Sequence, residues 1–432
     1  IFKRIYILSQ FLDREVHIEK MSKNIVGLDI GNRNICAAIS GENENGEFEV
    51  LDFVVKDLQG VSKGKIIDEE SVVKTIKECL KELEEKSGHN IQGVYLSLKN
   101  NDCRMVENKG YSYTDNDDSL VFKENIEEAY IEGRTLKLSE EECVADSTIN
   151  SFYTEEFGFV QNPIGIRAER IEIDEDLIIA PKSKISTLNK IILEAGYEVL
   201  GTVSLGFGFK NVFLSKKTET SNVVIIDVGA EETQIYSYKG NTLKDMDYIP
   251  LGGRNISKDL AICLSISEEE AERLKLQYSS KYYSIRKDYN NISFEEHILD
   301  TYLIHDIIDA RLSEIVELVN SKLMERDILN TTDMIILTGD GISYYEHIKE
   351  RIEYTTDKDV RIFTKKQFLF DNSSIINSIS IVKEVYDRLK LICDEELLSG
   401  RKVTVDKENK SENKSVKKRG LSKIMAFLEE LF

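Results

Sequence analysis

Two segments of this 432-residue chain repeat one pattern, and that repetition limits the fold more than any other feature. From residue 24 the sequence runs NIVGLDIGNRNICAAIS, two apolar runs around a tight turn at Gly31, Asn32, Arg33 and Asn34, which is the signature of a hairpin. From residue 222 it runs NVVIIDVGAEETQIYSY, again strand, acidic-glycine turn and strand. Each half therefore offers a turn of Asp-x-Gly type, through Asp29 and Gly31 in one and Asp227 and Gly229 in the other. Two similar halves of this kind predict a ligand clamped between them, with backbone amides of both turns facing phosphate oxygens. A glycine turn can also be only a tight connection between buried strands, but the occurrence of the acids as a matched pair favours a site.

The elements around the turns are of α/β type. Val72, Val73, Ile76, Leu80 and Leu83 share one helical face over residues 71–86, and a strand follows at 93–98. Ser267 and Glu270 have capping-box spacing at the head of EEEAERLKLQ, in which Glu272 and Lys275 share a face. A helix is expected near 306–325 on the stripe Leu312, Ile315, Val316 and Val319, and MIILTGDG at 334–341 reads as a buried strand ending in a glycine turn.

Composition removes several classes of function. With 78 acidic against 57 basic residues and a net charge of −21, a broad nucleic-acid surface is excluded. The six cysteines are scattered without a Cys-x-x-Cys pair, so neither a disulfide framework nor a zinc site is signalled and a reduced cytosolic setting fits. No run reaches the roughly 18 consecutive apolar residues of a spanning helix. No Ser-His-Asp or Cys-His arrangement stands out, so no catalytic residue is assigned. His297, Asp300, His305 and Asp309 read as a solvated helix face, and no metal ligand set is assigned.

Both ends of the chain change character. The first methionine is Met21, and Arg14-Glu15-Val16 back-translates to a purine-rich triplet series like a ribosome-binding site, so residues 1–20 are read as a non-native extension and Met21 as the start. A cleavable signal is the rival reading, but its apolar stretch is broken by Ser9 and Gln10 and no small-residue cleavage site follows. Residues 399–418 are polar and lack aromatics, as a flexible linker does. Beyond them Leu421, Ile424, Met425, Leu428, Leu431 and Phe432 fall at helical spacing with Phe427 beside them, and Lys417, Lys418 and Arg419 cluster at the start. Such a helix suits an anionic leaflet, gaining roughly 0.8 kcal/mol per buried CH₂ and about 1 kcal/mol per basic residue near the surface. Docking on its own core or on a partner groove is the bland alternative.

The order of these segments resembles the FtsA family of bacterial actin-like cell-division proteins. The resemblance is carried by GLDIGNRNICAAI at 27–39, IQGVYLSLKNNDCRMVENKG at 91–110, NPIGIRAERIEID at 162–174 and IPLGGRNISKDLAICLSISEEEAERLKLQY at 249–278, together with the terminal amphipathic helix. It implies a two-lobed actin-like ATPase fold with an inserted small α+β domain of SHS2 type. Subdomain 1A is then expected at 21–103 and 184–220, and the insert 1C at 104–183. Subdomain 2A follows at 221–251 and 330–395, 2B at 252–329, a linker at 396–418 and a membrane-targeting helix at 419–432. Of the insert itself, residues 121–131 are weakly helical, and Pro163 and Gly165 fix a bend before a strand.

The resemblance also implies a site for ATP or ADP with Mg²⁺. Asp29, Gly31, Asn32, Arg33 and Asn34 match its first phosphate turn, and Asp227, Gly229, Gly252 and Gly253 belong to the second side. Glu272 and Lys275 match the ribose-side helix, while Gly339 and Gly341 match the glycine turn against which adenine packs. The second turn departs: the family has Asp-Ile-Gly-Gly-Gly-Thr-x-Asp where this chain has Asp227-Val228-Gly229-Ala230-Glu231-Glu232-Thr233-Gln234. Glu231 and Glu232 weaken attraction for a terminal phosphate, since like charges about 4 Å apart repel by roughly 4 kcal/mol at an effective dielectric of about 20. A bound magnesium ion, or outward rotation of both side chains, would offset this. Gln234 lacks the charge of the family's acid.

The implied role is an adaptor, not an enzyme. It ties the FtsZ ring to the cytoplasmic face of the membrane at the division site, assembles with copies of itself, and meets other division proteins through the insert. Arg311 aligns with a basic position on the face that receives the FtsZ C-terminal peptide, and an intrahelical pair with Glu314 is the competing reading. The alternatives are a nucleotide-independent scaffold paralogue of a pilus-type or other membrane apparatus, and a weak ATPase.

Overall fold

Strands β1 (Ile25–Ile30) and β2 (Asn34–Glu42) are buried almost throughout, as continuous apolar runs with cover on both faces must be. The computed structural model describes residues 24–43, 45–116, 118–288, 290–363 and 373–392. β1 pairs antiparallel with β2, which pairs antiparallel with β3 (Phe48–Asp57). On its other side β1 pairs parallel with β6 (Gly93–Leu98), and β6 with β11 (Glu198–Ser204). The sheet order is β11-β6-β1-β2-β3, and a two-stranded hairpin, β4 (Val61–Ser62) with β5 (Lys65–Ile66), stands beyond β3.

The second lobe repeats this plan. β12 (Asn222–Val228), β13 (Thr233–Lys239) and β14 (Thr242–Ile249) form an antiparallel meander. β17 (Met334–Thr338) and β18 (Asp359–Ile362) add in parallel, giving β14-β13-β12-β17-β18. The approximate repeat in the sequence is thus a repeat of topology, with Asp29 and Asp227 near the ends of equivalent strands.

Local signals in the sequence explain the covering helices. Helix Glu69–Ser87 starts on Asp68, whose side chain accepts from the Ser71 N–H, and ends on Gly88 at φ 73°. Its buried stripe is Val72, Ile76, Cys79, Leu80 and Leu83. In helix Glu268–Tyr278 the expected capping box is present: Ser267 Oγ accepts from the Glu270 N–H at 3.1 Å and Glu270 Oε2 from the Ser267 N–H at 2.7 Å. Helix Thr301–Glu325 begins five residues before the expected 306 because Asp300 caps the Tyr302 N–H.

Between β6 and helix Lys182–Glu194 lies a separate antiparallel sheet, ordered β7-β10-β8-β9 and built from β7 (Arg104–Tyr113), β8 (Glu142–Thr154), β9 (Gly158–Val160) and β10 (Arg170–Pro181). Helix Lys123–Gly133 covers it over a small core of Val121, Ile126, Ala129, Phe152, Ile171 and Ile173. The bend at Pro163 is a turn closed by Ile166 N–H to the Pro163 carbonyl at 3.0 Å, with Gly165 at φ 78°.

Two helices cross between the lobes. Leu205–Phe213 follows the first lobe's last strand yet packs on the second lobe: the Tyr238 hydroxyl donates to the Gly206 carbonyl at 2.6 Å, and Phe209 meets Tyr236 edge-on. Ser374–Ile392 follows the second lobe's last strand and packs on the first, where Ser378 Oγ donates to the Cys36 carbonyl at 2.9 Å. A methyl group on Gly208 would stand 2.9 Å from the Ser380 carbonyl oxygen, so glycine permits the crossing.

The reading of His297, Asp300, His305 and Asp309 as a solvated helix face is corrected by the fold. His297 and Asp300 lie on β16 (His297–Asp300), paired with β15 (Asn291–Phe294). His305 is 5 % exposed and stacks on Tyr282, while Asp309 pairs with Arg351, because helix Thr301–Glu325 turns that side inward. Among the described residues no group of metal ligands forms, and no helix is long and apolar enough to cross a membrane. The tail calls, Lys417, Lys418, Arg419, Leu421, Ile424, Met425, Phe427, Leu428, Leu431 and Phe432, and residues 1–20, lie outside the described residues.

Candidate functional site

The two turns face each other across a cleft of about 280 Å³. In each, one hydrogen bond closes the loop: Gly31 N–H to the Asn34 carbonyl and Gly229 N–H to the Glu232 carbonyl, both 2.9 Å. Those two amides are consumed within the turns, so the tips, not the first glycines, present groups to the cleft. Asp29, Gly31, Asn32, Arg33, Asn34, Asp227, Gly229, Gly253, Glu272, Lys275, Gly339 and Gly341 all line it. Gly252 instead stands behind the second turn, where a Cβ would come 2.5 Å from the Gly229 carbonyl oxygen.

Asp29 is held at both oxygens, accepting from Ser97 Oγ at 2.6 Å and from Asn377 Nδ2 at 3.0 Å. Burial pushes the Asp227 carboxyl up to about 7, with Asp29, Asp340 and Glu232 adding to the shift and Lys99 opposing it. Glu272 is placed by helix Glu268–Tyr278 and accepts from Lys275 Nζ at 2.7 Å; it also binds Ser257 and, across the cleft, Arg33. Burial works against its charge, but Lys275, Ser257 and Arg33 hold its pKa below the ordinary value. Burial lowers the Lys275 ammonium despite Glu272, and its Nζ also reaches the Gly253 carbonyl at 3.2 Å. Gly339, at φ 89°, and Gly341 let the chain pass against Val228, where any side chain would collide.

Lys99 is the main residue that sequence reasoning missed. It follows β6 at the cleft floor, and its Nζ meets Glu232 Oε1 at 3.1 Å. Burial opposes its charge, yet Glu232, Asp29 and Asp227 outweigh that and raise its pKa. The signal was present in the alternation of Ser97 and Lys99 along the end of a strand parallel to β1, but an isolated lysine reads as solvent-facing. Asp57, Asp340 and Asn377 also line the cleft, from the end of β3, a loop and a helix that no local pattern tied to it.

The two glutamates of the second turn neither rotate out to solvent nor stand uncompensated. Glu231 and Glu232 are 4 % and 3 % exposed. Glu231 Oε2 accepts from the Lys63 N–H at 2.7 Å and from Ser62 Oγ at 2.9 Å, while its Oε1 meets Arg254 at 3.0 Å. Glu232 Oε1 takes Lys99 and Asn32 Nδ2, the latter at 3.2 Å. Gln234 Oε1 accepts from the Asn100 N–H at 3.0 Å.

Six carboxylates against three cations line the cleft, so a nucleotide fits its charge only when it brings a divalent cation. The glycine turn at 339–341 and the Glu272–Lys275 pair fit a nucleoside; the second turn does not fit a terminal phosphate, because its facing donors already hold carboxylates. Arg311, expected at a partner face, binds Asp259 through Nε at 2.6 Å and Nη2 at 2.9 Å and also reaches Glu314.

Comparison with known proteins follows these features. A family described as "Cell division protein FtsA" matches residues 224–381, which include the second turn and both glycines of the 339–341 loop. The Cell division protein FtsA of Bacillus subtilis is 25 % identical over 322 residues, 73 % of this chain and 72 % of that one. That of Buchnera aphidicola from Schizaphis graminum is 23 % identical over 362 residues, 80 % and 85 % of the two chains. Among solved structures, the PilM-PilN type IV pilus biogenesis complex aligns with a TM-score of 0.55 at 14 % identity, covering 84 % of this chain and 98 % of that one. The chain is similar to FtsA over most of its length and has the two-lobed actin-like ATPase fold.

Proposed function

We propose that this chain is an actin-like cell-division adaptor that ties the FtsZ ring to the cytoplasmic face of the membrane. The observation that carries the reading is the duplicated lobe with its cleft, over whose second half the FtsA family matches at residues 224–381. The tail helix at 419–432 supplies the membrane contact, by burial of its apolar face and attraction of its basic start to anionic lipid. The domain limits read from the sequence, including an SHS2-type insert at 104–183 that contacts other division proteins, belong to this proposal, as does head-to-tail assembly of copies.

Nucleotide, with Mg²⁺, belongs in the cleft between the turns, held on its nucleoside side by Glu272, Lys275, Gly339 and Gly341. No turnover is assigned: Gln234 has no charge to act as a base, and its carbonyl oxygen is engaged by Asn100. Arg311 would receive an acidic peptide only by exchanging one of its two carboxylate partners. The pilus-apparatus alternative has support from fold alone.

Live-cell imaging of a fluorescent fusion started at Met21, with a free C-terminus and an FtsZ marker, tests the adaptor. A mid-cell band coincident with FtsZ is expected; uniform membrane fluorescence would remove the partner. Removing residues 420–432 should abolish sedimentation with anionic liposomes, and Phe427→Glu should do nearly the same. Unchanged sedimentation would end the anchor reading.

A further inference from the structure

Glu231, Glu232 and Gln234, three of the residues by which the second turn departs from the family pattern, all reach the first lobe. Glu231 takes the N–H and hydroxyl of the β4–β5 hairpin, Glu232 takes Lys99 and Asn32, and Gln234 takes the Asn100 N–H. Asn32 Oδ1 completes the seam by accepting from the Gly64 N–H at 2.7 Å. None of these bonds is needed to form the turn, which Gly229 N–H and Thr233 Oγ1, donating to the Leu251 carbonyl at 2.9 Å, already secure. A lysine ammonium and an amide N–H meeting one oxygen of Glu232, and a backbone N–H and a hydroxyl meeting one oxygen of Glu231, are donors of the kinds that elsewhere grip phosphate. Here they grip carboxylates of the same chain.

We propose that Glu232 stands in for a terminal phosphate at the cleft while Glu231 grips the β4–β5 hairpin, the two together latching the lobes without nucleotide and making the cleft selective for a nucleoside diphosphate over a triphosphate. The selectivity rests on the reading of the cleft as a nucleotide site; the latch does not. A third phosphate would have to take Lys99 from Glu232 and leave a buried carboxylate beside it. Gln234, only 2 % exposed, lines the cleft with its Nε2 unpartnered, and offers an N–H to an oxygen of a shorter ligand.

Two readouts on the full chain separate the parts. Calorimetric titration with Mg-ADP and with the Mg complex of β,γ-imido-ATP should give about tenfold tighter binding of the diphosphate, and the Glu231→Gln/Glu232→Gln pair should erase that preference. Triphosphate binding as tight as diphosphate in the parent chain would overturn the selectivity. Hydrogen exchange without nucleotide should find the Lys63 and Gly64 amides protected, with Lys63 exchanging about tenfold faster in Glu231→Ala, or in Glu231→Gln if the alanine chain does not fold. Unprotected amides in the parent would sink the latch whatever the nucleotides do. If neither nucleotide binds while Lys63 stays protected, the nucleotide reading fails and the latch stands.

Discussion

The Gly31–Asn34 and Gly229–Glu232 turns are closed by the same hydrogen bond at the same length, yet the charges at their tips are directed differently. The first turn sends Arg33 out to Glu272 across an open edge of the cleft, where Arg33 is 51 % exposed. The second sends its two carboxylates into a dry seam against Lys99 and the β4–β5 hairpin. The glycine at the head of each turn and the strand pairing on either side fix the backbone, and the tip residues are then free to carry different chemistry. A site's architecture and its charge can therefore diverge within one repeat.

The largest effect should come from the dry side. Lys99→Met leaves Glu232 buried without its cation, at a cost of about 3 kcal/mol, read as a fall in the urea midpoint. Adding Glu232→Gln should restore more than half of it; no restoration would mean that Lys99 acts elsewhere. A second effect, of similar size, belongs to Asp227 and is read through pH. Because the folded pKa of Asp227 lies near 7 and a free aspartate's near about 4, its contribution is fully present below about pH 4 and is lost as pH rises through about 7. Asp227→Asn should flatten stability against pH across that window, and a slope unchanged by it would show that another group sets it. The smallest effect belongs to the wet side: Arg33→Ala should cost under about 1 kcal/mol, since the pair is solvent-screened and Glu272 keeps Lys275 and Ser257. A loss as large as that of Lys99→Met would erase the contrast between the turns.

Much of the scaffold was legible because its determinants are local. The hairpin at 24–40, the stripe of helix Glu69–Ser87 and the Ser267–Glu270 box each depend on residues within a few positions. Of the cleft's lining, the two Asp-x-Gly turns were legible for the same reason, whereas Gly253, Glu272, Lys275, Gly339 and Gly341 were placed there by the family resemblance. What stayed hidden depends on the approach of distant segments. Glu231 reads as an acid facing a terminal phosphate until the Ser62–Lys63 backbone arrives to meet it, and Lys99 as a surface base until Glu232 does. His305 reads as exposed until Tyr282 covers it.

The crossed helices carry a consequence for how the molecule can be divided. Phe207, Phe209 and Phe213 leave the first lobe to fill the second, and Ile375, Ile376 and Ile379 return in exchange, so both lobes share one oily interior with Tyr236 and Cys36. Severing the connection after Leu214 would give two fragments, each holding the other's stopper and each with an unplugged hole of its own. Neither half is a self-sufficient unit, and any reagent that separates them must first wet the apolar interior they share.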